Sequence, residues 1–207
     1  DISGVQHVVD NLATEEPLEI EIKYFSDNIW NEKPVSVTMR TPGNDAELGV
    51  GFLFTEGIIS DYTHVNSVQH VPYSDNNIIQ IELAREINID LKKLNRHFYT
   101  TSSCGVCGKS SIEAIKTVCN INAGAGAFKI DPEVAYTLPD TLRAKQDIFE
   151  HTGGLHASAL FNTSGELLML REDVGRHNAL DKMIGAALEK GMLPLDNCIL
   201  LLSGRAS

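Results

Sequence analysis

A chain of 207 residues with 43% hydrophobic and 22% charged residues carries enough apolar sequence for one large domain or two small ones, and lies far from a disordered composition. Its formal charge of −11, from 17 Lys and Arg against 28 Asp and Glu, repels nucleic acid and anionic membrane, so an anionic ligand must be met by a local basic cluster. No run of about 18 apolar residues is present to span a bilayer, and Asp1-Ile2-Ser3 opens no charged-then-apolar leader, so a cytoplasmic protein is expected.

Residues 18–24 and 35–40 alternate apolar and polar side chains around Asp27-Asn28, which predicts an antiparallel strand pair. Asn44 with Glu47 three residues later predicts a capping box, opening a helix that carries Leu48, Phe52 and Leu53 and stops near Gly57. Two further strands are expected at 68–71 and 78–83, around Asp75-Asn76-Asn77. Ser110 and Glu113 predict a second capping box, with Ile112, Ile115, Val118 and Cys119 as the apolar stripe of its helix. Gly124 to Gly126 and Asp131-Pro132 predict a break, and Pro139 is expected at the first position of a helix reaching about Phe149. A hairpin through Asn162-Thr163-Ser164-Gly165 joins strands at 155–161 and 167–171. A helix over 176–190 shows Leu180, Met183, Ile184, Ala187 and Leu188 on one face, with Gly191 beyond its end. The continuous apolar run 198–202 predicts a strand covered on both faces.

Four cysteines stand at 104, 107, 119 and 198. Cys119 and Cys198 sit inside apolar stretches and are expected to be inert core thiols. Cys104-Gly105-Val106-Cys107-Gly108 precedes a helix start, whose partial positive charge, with Lys109, favours thiolate. Such a pair suits a sulfur carrier, a dithiol–disulfide switch, half of a zinc site or a plain turn. Structural zinc usually takes four ligands, and a second pair is absent here. The spacing alone leaves the choice open.

His156, behind Gly153-Gly154, is expected at a strand entrance. A zinc nucleobase deaminase would place Glu where Ser158 stands, so deamination is not expected. Arg171-Glu172-Asp173-Val174-Gly175-Arg176-His177-Asn178 joins a strand to a helix N-terminus, which suits either phosphate binding or a solvated salt-bridged turn, and Ser203-Gly204-Arg205 offers a second small loop.

These segments, in this order, resemble the formate dehydrogenase accessory sulfurtransferase family, FdhD. The likeness rests on Thr101-Ser102-Ser103-Cys104-Gly105-Val106-Cys107-Gly108-Lys109 and Thr152-Gly153-Gly154-Leu155-His156, on the segment from Arg171 to Lys182, and on Leu202-Ser203-Gly204-Arg205-Ala206-Ser207. The helix Leu48-Gly49-Val50-Gly51-Phe52-Leu53-Phe54-Thr55-Glu56-Gly57 is similar as well. The resemblance implies an α/β domain (α+β overall) with the three layers of a cytidine deaminase and no zinc chemistry, expected over 100–207, beside a smaller α+β region over 1–99. Family members continue past the Ser203-Gly204-Arg205 loop, so that domain is expected to lack its last part.

By the same resemblance, sulfur would pass from a cysteine desulfurase to the molybdenum bis-molybdopterin guanine dinucleotide cofactor, the bound acceptor, for the formate dehydrogenase apoenzyme. Cys104 would carry the persulfide, with Cys107 supporting it, in a homodimer without a catalytic metal of its own. Arg171, Arg176, His177 and Arg205 are the candidates, by charge and loop position, for holding the guanine nucleotide moiety, and guanosine diphosphate is the expected probe ligand. The rival expectation is a non-catalytic chaperone that binds the cofactor and hands it over; a zinc-binding module is the third.

Overall fold

The structure, a computed structural model, describes residues 11–87, 129–146, 152 and 154–204. Strands β1 (Glu16–Ser26) and β2 (Ile29–Arg40) pair antiparallel, and the two residues between them, Asp27 and Asn28, have φ of 53° and 63°. Both central residues of a type I′ turn need positive φ, which short polar side chains tolerate. The expected pair is present, but β2 begins before residue 35. Pro34 hid that start, because proline cannot donate into a ladder. Here β2 lies at the end of its sheet, and the register jumps beside Pro34, so Val35 becomes the extra residue of a bulge and is fully buried.

Helix α1 (Asp45–Thr55) follows. The expected capping box is not formed: Asn44 adopts left-handed φ of 57° without a side-chain cap bond, and Glu47 pairs with Arg171 instead. Strands β3 (Val65–His70) and β4 (Ile78–Leu83) are antiparallel, closed by a turn in which Asn77 N–H donates to Ser74 O at 2.9 Å. The sheet order is β2-β1-β4-β3, with β1 and β4 parallel. Leu18, Ile20 and Ile22 of β1 and Ile79, Ile81 and Leu83 of β4 turn their buried faces to Leu48 and Leu53 of α1. Each such side chain contributes about 1.5–3 kcal/mol by leaving water.

The second sheet is organised around β5. Helix α2 (Pro132–Arg143) opens with Asp131, whose carboxylate accepts from Glu133 N at 2.9 Å, and with Pro132 in the first turn. This corrects the expected start at Pro139: Asp131-Pro132 is a cap rather than a break, and Pro139 lies inside the helix. The ring removes the donor for the Ala135 carbonyl, but Ala135 is exposed and water can replace it. Strands β5 (His156–Asn162), β6 (Leu167–Asp173) and β7 (Cys198–Leu202) form the order β6-β5-β7, all antiparallel, with helix α3 (Arg176–Glu189) between β6 and β7. Ala157, Ala159 and Phe161 face Leu138 and Leu142 of α2, while Leu160 and Met169 face Met183 and Ala186 of α3. Helices thus cover both faces of this sheet, and the whole is α+β.

β7 differs from expectation. As the end strand of the order among the described residues, it has no fully buried residue, and Leu200 is 44% exposed. Cys198, expected deep in the core, is a half-buried free thiol. Cys119 and the helix expected around it lie outside the described residues.

The two halves meet where α1 crosses α3 antiparallel. A Cβ on Gly51 would stand 1.9 Å from Asp181 O, and one on Gly185 would stand 1.9 Å from Glu47 O. At this crossing Asp181 accepts from Thr55 Oγ1 at 3.0 Å. Burial pushes its carboxyl from 3.8 up to about 7, with the Thr55 bond opposing and Glu56 adding repulsion. The folded chain therefore keeps a proton that the unfolded chain releases, and stability falls as pH rises from about 4 to about 7. Asp181→Asn keeps the acceptor and removes the charge. Its gain in melting temperature over the parent is expected to grow across that window, and a difference flat in pH, by differential scanning fluorimetry, contradicts this account.

Candidate functional site

The segment from Arg171 to Lys182 contains two groups of side chains with different fates. The first is a buried joint. Asp173, fully buried at the end of β6, receives Thr41 N at 3.1 Å, Gly175 N at 2.8 Å and Asn178 Nδ2 at 3.0 Å, and pairs with Lys182 Nζ at 2.8 Å. Lys182 also donates to Thr41 O at 2.8 Å, and Asn178 to Met39 O at 2.8 Å. The carboxylate thus sits at the N-terminus of α3, where it meets the first amide and the positive end of the helix dipole. These contacts tie the end of β2 to β6 and α3.

Arg171 belongs to this joining layer. Its Nη2 donates to Glu47 Oε1 at 2.6 Å and its Nη1 to Leu170 O at 2.7 Å, while Nε meets the second oxygen of Glu47. The carboxylate lifts the guanidinium above its usual range. Three of its five N–H groups donate within the chain, and the pair with Glu47 fastens α1 to β6.

The second group faces outward. His156 opens β5, as expected from the glycines before it. Past the end of β7, Ser203 grips the start of β5 twice: its N–H donates to Ala157 O at 2.9 Å, and its hydroxyl accepts from Ala157 N at 2.7 Å. That clip lays Gly204 against His156 and Arg176. A Cβ there would be 3.2 Å from His156 Nδ1 and 3.4 Å from Arg176 Cβ, a close approach that a larger residue would allow only if these side chains gave way by a few tenths of an ångström. Arg176, first residue of α3, has a buried Nε without a hydrogen-bond partner among the described residues. His177 follows it on the helix, while Arg205, Cys104 and Cys107 lie outside the described residues.

Beside this contact is a cavity of about 620 Å³, within the range of about 300–1,000 Å³ typical of small-molecule sites. Its walls are Pro139, Leu142, Arg143 and Gln146 on one side, and Gly154, Leu155, His156, Leu201, Leu202 and Ser203 on the other. Arg143 is exposed at the rim. Gln146 is only 6% exposed, and its Nε2 is buried without a partner among the described residues. Sequence reasoning missed Gln146, Arg143, Asp173 and Lys182. No group of three or more His, Cys, Asp or Glu suited to a metal ion occurs among the described residues. No helix there is long and apolar enough to cross a membrane.

Comparison with known proteins covers nearly the whole chain. The profile of the FdhD/NarQ family matches residues 13–207. The sulfur carrier protein FdhD of Streptomyces avermitilis is 43% identical over 208 residues, covering 96% of this chain and 70% of that protein. Its namesake in Mycolicibacterium paratuberculosis is 45% identical over 204 residues, covering 96% and 72%. The one in Saccharolobus solfataricus is 40% identical over 196 residues, covering 95% and 69%. A crystal structure assigned as a formate dehydrogenase accessory protein from Desulfotalea psychrophila superposes with a TM-score of 0.64, over 99% of this chain and 69% of that one. Its sequence identity is 20%, so it speaks for the fold alone. On the extent of the family match, and on relatives this similar over two thirds or more of their own length, the chain belongs to the FdhD/NarQ family.

Proposed function

We propose that this protein is a sulfur carrier, a sulfurtransferase that accepts sulfur from a cysteine desulfurase and delivers it to molybdenum bis-molybdopterin guanine dinucleotide for the maturation of formate dehydrogenase. The relatives named sulfur carrier protein support the sulfur chemistry. The observation that carries the acceptor half is the cavity lined by His156 and Gln146, whose buried Nε2 has no partner among the described residues. Arg176, with a second unpaired buried donor at Nε among those residues, stands outside its lining but against Gly204, which also touches His156. A buried donor left unpaired costs about 1–3 kcal/mol, and a ligand rich in acceptor oxygens removes that cost. A guanine nucleotide is such a ligand. Arg176, His177 and Arg205 hold its phosphates in this reading, and exposed Arg143 joins them at the rim.

The sulfur half rests on Cys104. Its thiolate attacks the outer sulfur of the desulfurase persulfide; a new S–S bond forms as the old one breaks, and the desulfurase cysteine leaves as thiolate. The exchange needs no outside oxidant or reductant, and a low thiol pKa raises the attacking fraction. Cys107 supports this step.

Mass spectrometry after incubation with a cysteine desulfurase and cysteine tests the assignment. One added sulfur atom is expected on the peptide holding Cys104 and none on those holding Cys119 or Cys198, with the adduct lost in Cys104→Ser. A persulfide that forms normally in Cys104→Ser places the nucleophile elsewhere. If that variant also supports full maturation of formate dehydrogenase, the protein is a cofactor chaperone instead.

A further inference from the structure

Along α2 the buried side of the helix recurs every four residues, at Val134, Leu138 and Leu142, all packed toward the second sheet. The next position in that stripe is 146, just past the helix end, and it holds glutamine instead of an apolar residue. Gln146 is 6% exposed, lines the cavity, and keeps an Nε2 whose hydrogens no backbone or side-chain atom accepts among the described residues. A leucine here would complete the stripe at no desolvation cost, whereas a buried amide N–H without an acceptor is destabilising. The side chain makes physical sense when something entering the cavity accepts that hydrogen.

We infer that Gln146 reads the base of the bound nucleotide: its carboxamide N–H donates to a ring carbonyl oxygen, and the cavity takes a 6-oxopurine. This rests on the nucleotide reading proposed above and adds the residue that selects the heterocycle. Leu142 and Leu155 supply apolar walls for the ring, and Arg143 stands at the rim for the phosphates. The carbonyl is the feature read, so inosine diphosphate, which keeps it and lacks the 2-amino group, binds about as well as guanosine diphosphate. The diphosphate of 2-aminopurine riboside, which lacks the carbonyl, leaves the amide unpaired and binds at least about fivefold more weakly.

Calorimetric titration of the full chain with these three nucleotides tests the inference, in the parent and in Gln146→Leu, with circular dichroism and thermal melts confirming that the variant folds. The expected result is a preference for the two oxopurines in the parent that disappears in Gln146→Leu. A preference for guanosine diphosphate that survives unchanged in folded Gln146→Leu overturns the role of Gln146 while the nucleotide reading stands. If the parent binds none of the three, the nucleotide reading itself falls, and this inference falls with it. Should Gln146→Leu fail to fold, Gln146→Glu serves: it puts an acceptor toward the carbonyl, and an oxopurine preference equal to that of the parent overturns the inference.

Discussion

Lys182→Met is expected to cost about 3–5 kcal/mol, the usual penalty for removing one partner of a buried pair, and so to lower the melting temperature by roughly 10 °C for a chain of this length. The methionine side chain is similar in length to lysine and fills most of the same space, so the loss is electrostatic rather than a cavity. It leaves Asp173, fully buried, with three amide donors and no counter-charge, and it strips Thr41 O of its donor. Asp173→Ala is expected to be at least as severe, because Thr41 N, Gly175 N and Asn178 Nδ2 lose an acceptor at once. Equilibrium unfolding in urea measures both. A change under 1 kcal/mol in Lys182→Met would falsify the view that this pair holds the two halves together.

The helix crossing predicts an effect of similar size from one methyl group. In Gly185→Ala the new carbon would lie 1.9 Å from Glu47 O, and in Gly51→Ala 1.9 Å from Asp181 O. The obstacle is a backbone carbonyl, which cannot swing aside as a side chain can, so the helices must separate along their whole contact. Each variant is expected to lose more than about 3 kcal/mol, in the upper range for overpacked cores. Gly191→Ala is the control. Its φ is 63° and nothing stands within 4 Å, so only the backbone strain of about 1–2 kcal/mol applies. Comparable losses at positions 51, 185 and 191 would mean that conformation, not contact, is what the glycines provide.

What the sequence made legible follows the range of the interactions. Asp27-Asn28 and Asp75-Asn76 announce their turns because the turn is decided by the residues inside it. The alternation of β4 and the apolar face of α3 are likewise local, and both elements were expected within a residue of their observed ends. Asp131-Pro132 carried the right signal for a helix start, an acidic cap before a first-turn proline, but Pro139 carried a competing one and drew the expected start inward. Glu47 had two available fates. Its partner Arg171 is 124 residues away, so the nearby Asn44 looked the better one. The Asp173 joint was hidden for the same reason, since Thr41 stands 132 residues before Asp173 and 141 before Lys182. Gln146 was within reach: a polar residue completing a stripe of Val134, Leu138 and Leu142 is a mismatch of pattern that needs no structure to notice.

The crossing at Gly51 and Gly185 also sets how this protein can move. Most helix pairs are separated by a layer of side chains that yields by changing rotamer, and small sliding motions pass through that layer. Here backbone rests on backbone, so α1 cannot roll or slide over α3 without driving a carbonyl oxygen into a Cα. α1 lies on the first sheet and α3 on the second, which makes the crossing a locked pivot rather than a hinge. Any movement of one sheet against the other would therefore have to part these two helices first. The wall formed by α2, on the far face of the second sheet, takes no part in that crossing: it rests on the apolar contacts of Val134, Leu138 and Leu142 and leads to Gln146 just past its end.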